Sequence, residues 1–310
     1  MKAFALTARD TQPAVQDVPQ PEPAAGEVLV EVEAASVNGF DLSVAAGYVW
    51  DMIPHEFPVV LGRDLVGTVT AVGDGVDGIS VGDRVAGVIP GMALSTRNGT
   101  FTEYVAVPAD AVTAVPAGVD AQQAAVIGLA SVAAHDALQA LNVQAGETVV
   151  ISGATGGVGS IAVQLAAAAG ATVIGTAQPG QEDEYVRSLD AAHTVGYTGD
   201  IAAAVRAIAP QGVDKVLHAA GEAAALGATL KAGGTLASTR GASAQEVGRQ
   251  DVSVASVMAA ATADKLATLL DHAAKGEIHV NIETAVPLER APEAFAAFAG
   301  GTLGKVLITR

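Results

Sequence analysis

The stretch Val149-Val150-Ile151-Ser152-Gly153-Ala154-Thr155-Gly156-Gly157-Val158-Gly159 limits the possible folds more than any other part of this 310-residue chain. Branched apolar residues predict a buried strand, the glycines a tight turn, and Val158 to Ala169 an Ala-rich helix. Strand, glycine turn and helix in that order make the unit of a parallel α/β sheet. Glycines there let backbone N–H groups approach a diphosphate, and the helix N-terminus adds partial positive charge. Small Gly159 lets the helix pack against the sheet. A bare glycine pattern also fits a tight turn with no ligand. The full context favours a dinucleotide held by Ala154, Thr155, Gly156, Gly157 and Val158.

The rest of the chain divides around this unit. Up to about Pro116 the pattern is short strands broken by glycine. Glu27 to Glu33 alternates polar and apolar residues, as a half-buried strand does, and Leu65 to Val72, Gly82 to Val85 and Thr102 to Val107 continue it. From Ala121 helices alternate with strands. Helices are predicted over Ala121 to Leu141, Tyr185 to Leu189, Ile201 to Ile208 and Asp264 to Lys275. Strands are predicted over Glu147 to Ser152, Ala171 to Thr176, Val213 to His218 and Thr235 to Thr239. Lys305 to Thr309 reads as a strand returning to the first domain. The expected class is α/β: a β-rich domain of 1–118 plus 280–310, and a doubly wound parallel-sheet domain of 119–279.

Composition sets the outer limits. Half the chain is hydrophobic and only 16% is charged, which argues against disorder. The formal charge of -17 repels nucleic acid and anionic membrane surfaces, so neither is expected as a partner. With no cysteine, disulfides, thiolate zinc sites and a cysteine nucleophile are excluded. No secretory signal is visible at Met1 to Leu6, no apolar run reaches membrane length, and a cytosolic protein is expected. An NAD site usually carries an acid about 20 residues past the loop. That count lands on Thr176, Ala177 and Gln178, so NADPH is expected, with NADH possible because no Lys or Arg stands beside them.

Taken together, Ala35 to Asp41, Pro58 to Val69, Val81 to Val85, the glycine loop and Gly304-Lys305-Val306 resemble the medium-chain dehydrogenase/reductase superfamily, in its zinc-independent quinone oxidoreductase branch. The resemblance spans essentially the whole chain and implies a GroES-like first domain and a Rossmann second domain. Where zinc-dependent relatives carry a Cys-His pair and a Gly-His-Glu triplet, this chain has Asn38-Gly39 and Gly62-Arg63-Asp64, and no metal is expected.

The resemblance also implies roles for single residues. Asn38 falls where the family places a polar group near the nicotinamide, although it also suits the turn before Asp41. Arg63 either fills the former metal space or binds an anionic substrate group, while Asp41 and Asp64 read as structural. Tyr48, Trp50 and His55 lie in the stretch that forms the pocket mouth in relatives. Tyr48 is the candidate donor to an acceptor oxygen, and Trp50 a stacking surface. Ala133-Ala134-His135 replaces a Thr-Ala-Tyr and removes a hydroxyl from the cofactor site. Tyr197 matches the tyrosine beside the adenosine end. Ala219, Ala220, Ser238 and Arg240 lie at strand ends, where Rossmann ligands sit.

The implied activity is metal-free hydride transfer from NAD(P)H to a quinone or an α,β-unsaturated carbonyl, which is electrophilic already. Enoyl reduction of a conjugated thioester is the enzymatic alternative, and a cofactor-binding regulatory protein with little turnover the other. Gln250 to Val257 alternates like an edge strand, and relatives pair this edge with a second subunit, so a homodimer is expected.

Overall fold

The computed structural model describes residues 1–90, 94–95, 97 and 99–310. The chain forms two compact units: Met1–Leu129 with Ala261–Gly276 and Asn281–Arg310, and Ala130–Ala260 with Glu277–Val280. The first segment carries β1 (Lys2–Leu6), β2 (Ala14–Asp17), β3 (Glu27–Ser36), α1 (Gly39–Ala45), β4 (Val59–Val60) and β5 (Asp64–Val72). It continues through β6 (Arg84–Val88), β7 (Tyr104–Pro108) and β8 (Val112–Ala114), and α2 (Ala121–Leu141) starts in the first unit and passes into the second after Leu129. The second unit then runs β9 (Thr148–Ile151), α3 (Gly157–Ala168), β10 (Thr172–Thr176), α4 (Gln181–Ser188), β11 (His193–Val195) and α5 (Ile201–Ile208). It ends with β12 (Val213–His218), α6 (Ala223–Gly227), β13 (Leu230–Ser238), α7 (Ala244–Val247) and β14 (Ser253–Ser256). The chain returns to the first unit with α8 (Ala263–Ala274), β15 (Ile282–Pro287), α9 (Ala291–Ala299) and β16 (Lys305–Thr309).

In the first unit a sheet of order β15-β16-β3-β5-β6-β8, with β7 also paired to β3, stands beside a small sheet β2-β1-β4. Alternation along β3 holds from Val30 to Glu33. Val28, Leu29, Val30 and Val32 are buried, whereas Glu31 and Glu33 turn outward to Tyr104 and Arg84. Burial of Val30, Leu65, Val69, Phe101, Val105 and Val306 in one cluster supplies the main driving force here.

The second unit is a six-stranded sheet of order β11-β10-β9-β12-β13-β14, parallel throughout. Val149, Val150 and Ile151 of β9 are fully buried, as a central parallel strand covered on both faces requires. Strand order reverses between β9 and β12, which brings the loops after these two strands together at one end of the sheet. β14 lies at the sheet edge, within the span Gln250 to Val257 predicted for it.

Differences from the sequence prediction at α4, α2 and α8 have a physical cause in the structure. Helix α4 starts at Gln181 rather than Tyr185, because Glu182, Asp183 and Glu184 occupy its first turn, where the helix dipole favours acids. Helix α2 is long and apolar enough to cross a membrane by length and composition, yet Gly128 breaks it at φ -44° and ψ -126°. A Cβ at Gly128 would sit 2.5 Å from the Cβ of Asp64, so the kink is where backbone approaches carboxylate. Helix α8, expected in the dinucleotide half, groups with the first unit and packs on β6 and β8 through an apolar face of Leu266, Leu269 and Leu270.

Candidate nucleotide site and buried polar cluster

The predicted loop forms a shaped cradle at the end of β9. Ser152 Oγ accepts from Ala219 N–H (3.0 Å) and Ala220 N–H (3.2 Å) and lies 3.2 Å from the Leu217 carbonyl, so one hydroxyl stitches the loops after β9 and β12. Gly153 adopts φ +66° and donates its N–H to Thr176 Oγ1 at 2.9 Å. A Cβ at Gly159 would stand 2.1 Å from the Gly153 carbonyl oxygen, so only glycine lets α3 press against the loop. Gly156 is the opposite case. A Cβ there meets only the Gly153 carbonyl, at 3.6 Å, and otherwise points into open space. Gly156 caps α3 without a side-chain hydrogen bond. A bare helix terminus facing empty space fits a diphosphate. Ala154 is fully buried, while Thr155, Gly156, Gly157 and Val158 are half-buried along the rim.

Thr176, Ala177, Gln178 and Tyr197 gather at the ends of β10 and β11. Ala177 N–H bonds Val195 O, and Gln178 Nε2 bonds Thr198 Oγ1 at 3.2 Å. Glu182, which sequence spacing did not single out, joins them. Its carboxylate accepts from Gln178 N–H at 2.8 Å and from the Tyr197 hydroxyl at 2.9 Å. That bond raises the Tyr197 phenol above its ordinary range.

At the ends of β12 and β13, His218 is buried with Nε2 3.0 Å from the Gly221 carbonyl and Nδ1 3.0 Å from Ser238 Oγ. A carbonyl only accepts, so Nε2 donates to Gly221. Ser238 Oγ also receives the N–H groups of Arg240 and Ala242, while the Arg240 side chain is exposed. The backbone N–H groups of Ala219 and Ala220 are committed to Ser152. His135 is half-buried on α2.

The first unit holds a buried polar cluster around Asn38 and Asp64. Fully buried Asp64 accepts from Ser36 N–H (2.7 Å), Ser36 Oγ (2.6 Å), Asn38 Nδ2 (3.0 Å) and Leu129 N–H (3.1 Å). Asn38 Nδ2 also donates to Ser36 O, and its Oδ1 accepts from Lys305 Nζ at 2.7 Å. Lys305 Nζ donates again to Val37 O at 2.9 Å. Asp41 takes the N–H groups of Asn38 and Gly62. Arg63 donates to Ile89 O and lies 5.3 Å over the Phe40 ring. Sequence reasoning did not place Lys305 here, because a lone cation in an apolar strand carries no signal of its distant partners.

Tyr48, by contrast, is 77% exposed, and Trp50 is buried against His55 and Phe57, with ring centroids 5.0 and 5.3 Å away. Trp50 therefore packs at a tilt against its neighbours within the protein rather than offering a free face.

Burial raises the Asp41 carboxyl to about 7, and the Asp64 charge pushes the same way, against the Asn38 N–H, Lys305 and Arg63. Burial lowers Lys305, with Asp64 and Asp41 opposing. Folded Asp41 thus holds a proton that the unfolded chain releases near 3.8, and stability falls as pH rises from about 4 to 7. Denaturant midpoints across this window are expected to decline for the wild type. Asp41→Asn, less stable throughout because one backbone N–H loses its acceptor, is expected to flatten that decline; an unchanged slope would place the titration elsewhere.

Two family models match the chain: an alcohol dehydrogenase GroES-like domain over 24–117, and a zinc-binding dehydrogenase over 189–308. The residues do not fit the metal the second description names. Asn38 is bonded to Lys305, and Arg63, a guanidinium, cannot ligate a cation. Among the described residues no three His, Asp or Glu side chains gather as a metal-holding group.

A quinone oxidoreductase from Coxiella burnetii superposes with a TM-score of 0.89 at 25% identity, covering 100% of this chain and 99% of that one. A mycobacterial protein solved with NADPH gives 0.86 at 30% identity over 100% of both chains. A chloroplastic quinone-oxidoreductase homologue of Spinacia oleracea is 30% identical over 210 residues, 66% of this chain and 62% of that protein. A mycocerosic acid synthase-like polyketide synthase of Mycobacterium tuberculosis is 37% identical over 207 residues, 66% of this chain but only 9% of the synthase. With the fold, the nucleotide cradle and these likenesses together, the chain belongs to the medium-chain dehydrogenase/reductase superfamily, in its quinone oxidoreductase branch.

Proposed function

We propose that this protein uses a reduced nicotinamide dinucleotide, NADPH or NADH, to reduce a quinone or an α,β-unsaturated carbonyl without a metal. The observation that carries this is the open space over Gly156 at the uncapped start of α3. When bound, the cofactor supplies the hydride. The chain's own residues position it. The N–H groups at the start of α3 grip the diphosphate, and Thr176 fixes Gly153 so that the loop stays in shape. Within the first unit Asn38 is held in one orientation, its amide hydrogens given to Ser36 and Asp64 and its Oδ1 taking Lys305. The exposed Tyr48 hydroxyl donates to the acceptor oxygen as negative charge develops there. Arg63 fills the position that a metal takes in relatives and steadies α1 through Phe40.

Likeness to polyketide synthases favours a second reading, in which the acceptor is a conjugated thioester. Both readings use the same electronics at the acceptor. One absorbance panel separates them: NADPH and NADH, each with a naphthoquinone, phenanthrenequinone, a small enone and an enoyl thioester. Oxidation with the first three supports the leading reading, and oxidation with the thioester alone supports the second. Tight binding of nucleotide with no turnover on any acceptor would instead indicate a regulatory protein. We further propose that the β14 edge pairs two copies into a dimer, which sedimentation would register as twice the chain mass.

A further inference from the structure

We propose that Glu182 reads the adenosine ribose of the dinucleotide and selects NADH over NADPH. This rests on the assignment of the glycine loop as the diphosphate site. In a strand–glycine loop–helix unit, an acid at the end of the next strand takes the ribose hydroxyls. Counting along the sequence finds Thr176-Ala177-Gln178 at that place and no acid. The fold supplies one from further on. The chain turns at Gly180, with φ 104°, and α4 begins at Gln181. Glu182 is thereby carried back to the strand end, where it receives the Gln178 N–H at 2.8 Å.

Its other oxygen is held by the Tyr197 hydroxyl at 2.9 Å, from the segment after neighbouring β11. Two donors from two segments fix the carboxylate, and each oxygen keeps a lone pair for a sugar hydroxyl. A ribose with free hydroxyls can donate to it. A 2′-phosphate only accepts near neutral pH and repels it.

The nearest cation in sequence does not reverse that sign. Arg187, the nearest cation in sequence, is bound through Nε to both oxygens of Asp183, at 3.0 and 3.1 Å, and through Nη2 to Thr194. Its charge is already matched. The N-terminus of α4 favours anions, but Glu182, Asp183 and Glu184 have taken that turn.

Calorimetric titration of the full chain with each reduced nucleotide tests this without turnover. NADH is expected to bind about 10 to 100-fold more tightly than NADPH at low salt, a gap that narrows as added salt screens the repulsion. Glu182→Gln keeps an acceptor for Gln178 and removes the charge. It is expected to shrink the NADH preference about 10-fold. Glu184→Gln, exposed in the same turn, is expected to move it less than about 2-fold. Equal or tighter binding of NADPH by the wild type overturns the role of Glu182 and leaves the diphosphate site standing. Failure to bind either nucleotide overturns both.

Discussion

Asp64→Ala is expected to cost about 3–5 kcal/mol of stability, the range for breaking up a buried charged network. The carboxylate is fully buried and ends four hydrogen bonds, two of them from backbone N–H groups that have nowhere else to go. Each donor left without an acceptor costs roughly 1–3 kcal/mol, although neighbours and entering water recover part of the sum. Lys305 would lose a nearby countercharge as well. Exposed ion pairs behave otherwise. Lys2 and Asp17 meet at 2.8 Å with Asp17 side-chain exposure of 76%, and deleting that pair should leave the unfolding midpoint nearly unchanged. Equilibrium urea unfolding of the two variants is the comparison to make. A loss below about 1 kcal/mol for Asp64→Ala would mean that the cluster is peripheral to the fold.

Gly156→Leu should weaken binding of reduced nucleotides by more than about 100-fold, since a bulky group displaces the ligand from the helix terminus and blocks its N–H groups. The fold itself should hardly notice. The nearest atom to a Cβ at this position is the Gly153 carbonyl oxygen at 3.6 Å, an ordinary contact, and the residue has no positive φ to strain. Calorimetry for affinity and thermal unfolding for integrity would separate the two effects. Retention of near-wild-type affinity in a folded variant would remove the diphosphate site on which the functional proposal stands.

The sequence spoke clearly wherever function depends on neighbours along the chain. Strand β9, the glycine turn and α3 lie within a few residues of the predicted limits, because periodicity and glycine chemistry act locally. β16 falls at Lys305–Thr309 as predicted. What stayed hidden depends on contacts between distant segments. Lys305 reads as one charge in an apolar strand, and its burial makes sense only beside Asn38. The kink at Gly128 cannot be inferred from an Ala-rich helical run, since its cause is Asp64. Glu182 reads from sequence only as part of the acidic run after Gln178, because linear spacing from the loop assumes that the acid directly follows the strand, whereas a turn at Gly180 carries it back. Trp50 reads from sequence either as a stacking surface or as packing, and its burial against His55 and Phe57 decides for packing.

The tie from Lys305 to Val37 and Asn38 closes the first unit across an inserted body of 130–260. During synthesis, residues 1–129 leave the ribosome with the Ala34–Ser36 margin of β3 uncovered, since its partner β16 is made after the inserted body. The inserted body has nearly all its strands in one continuous run and can mature meanwhile. A nascent chain halted after α2 is therefore not a smaller version of the finished unit but a sticky, half-built sheet that invites chaperones or self-association.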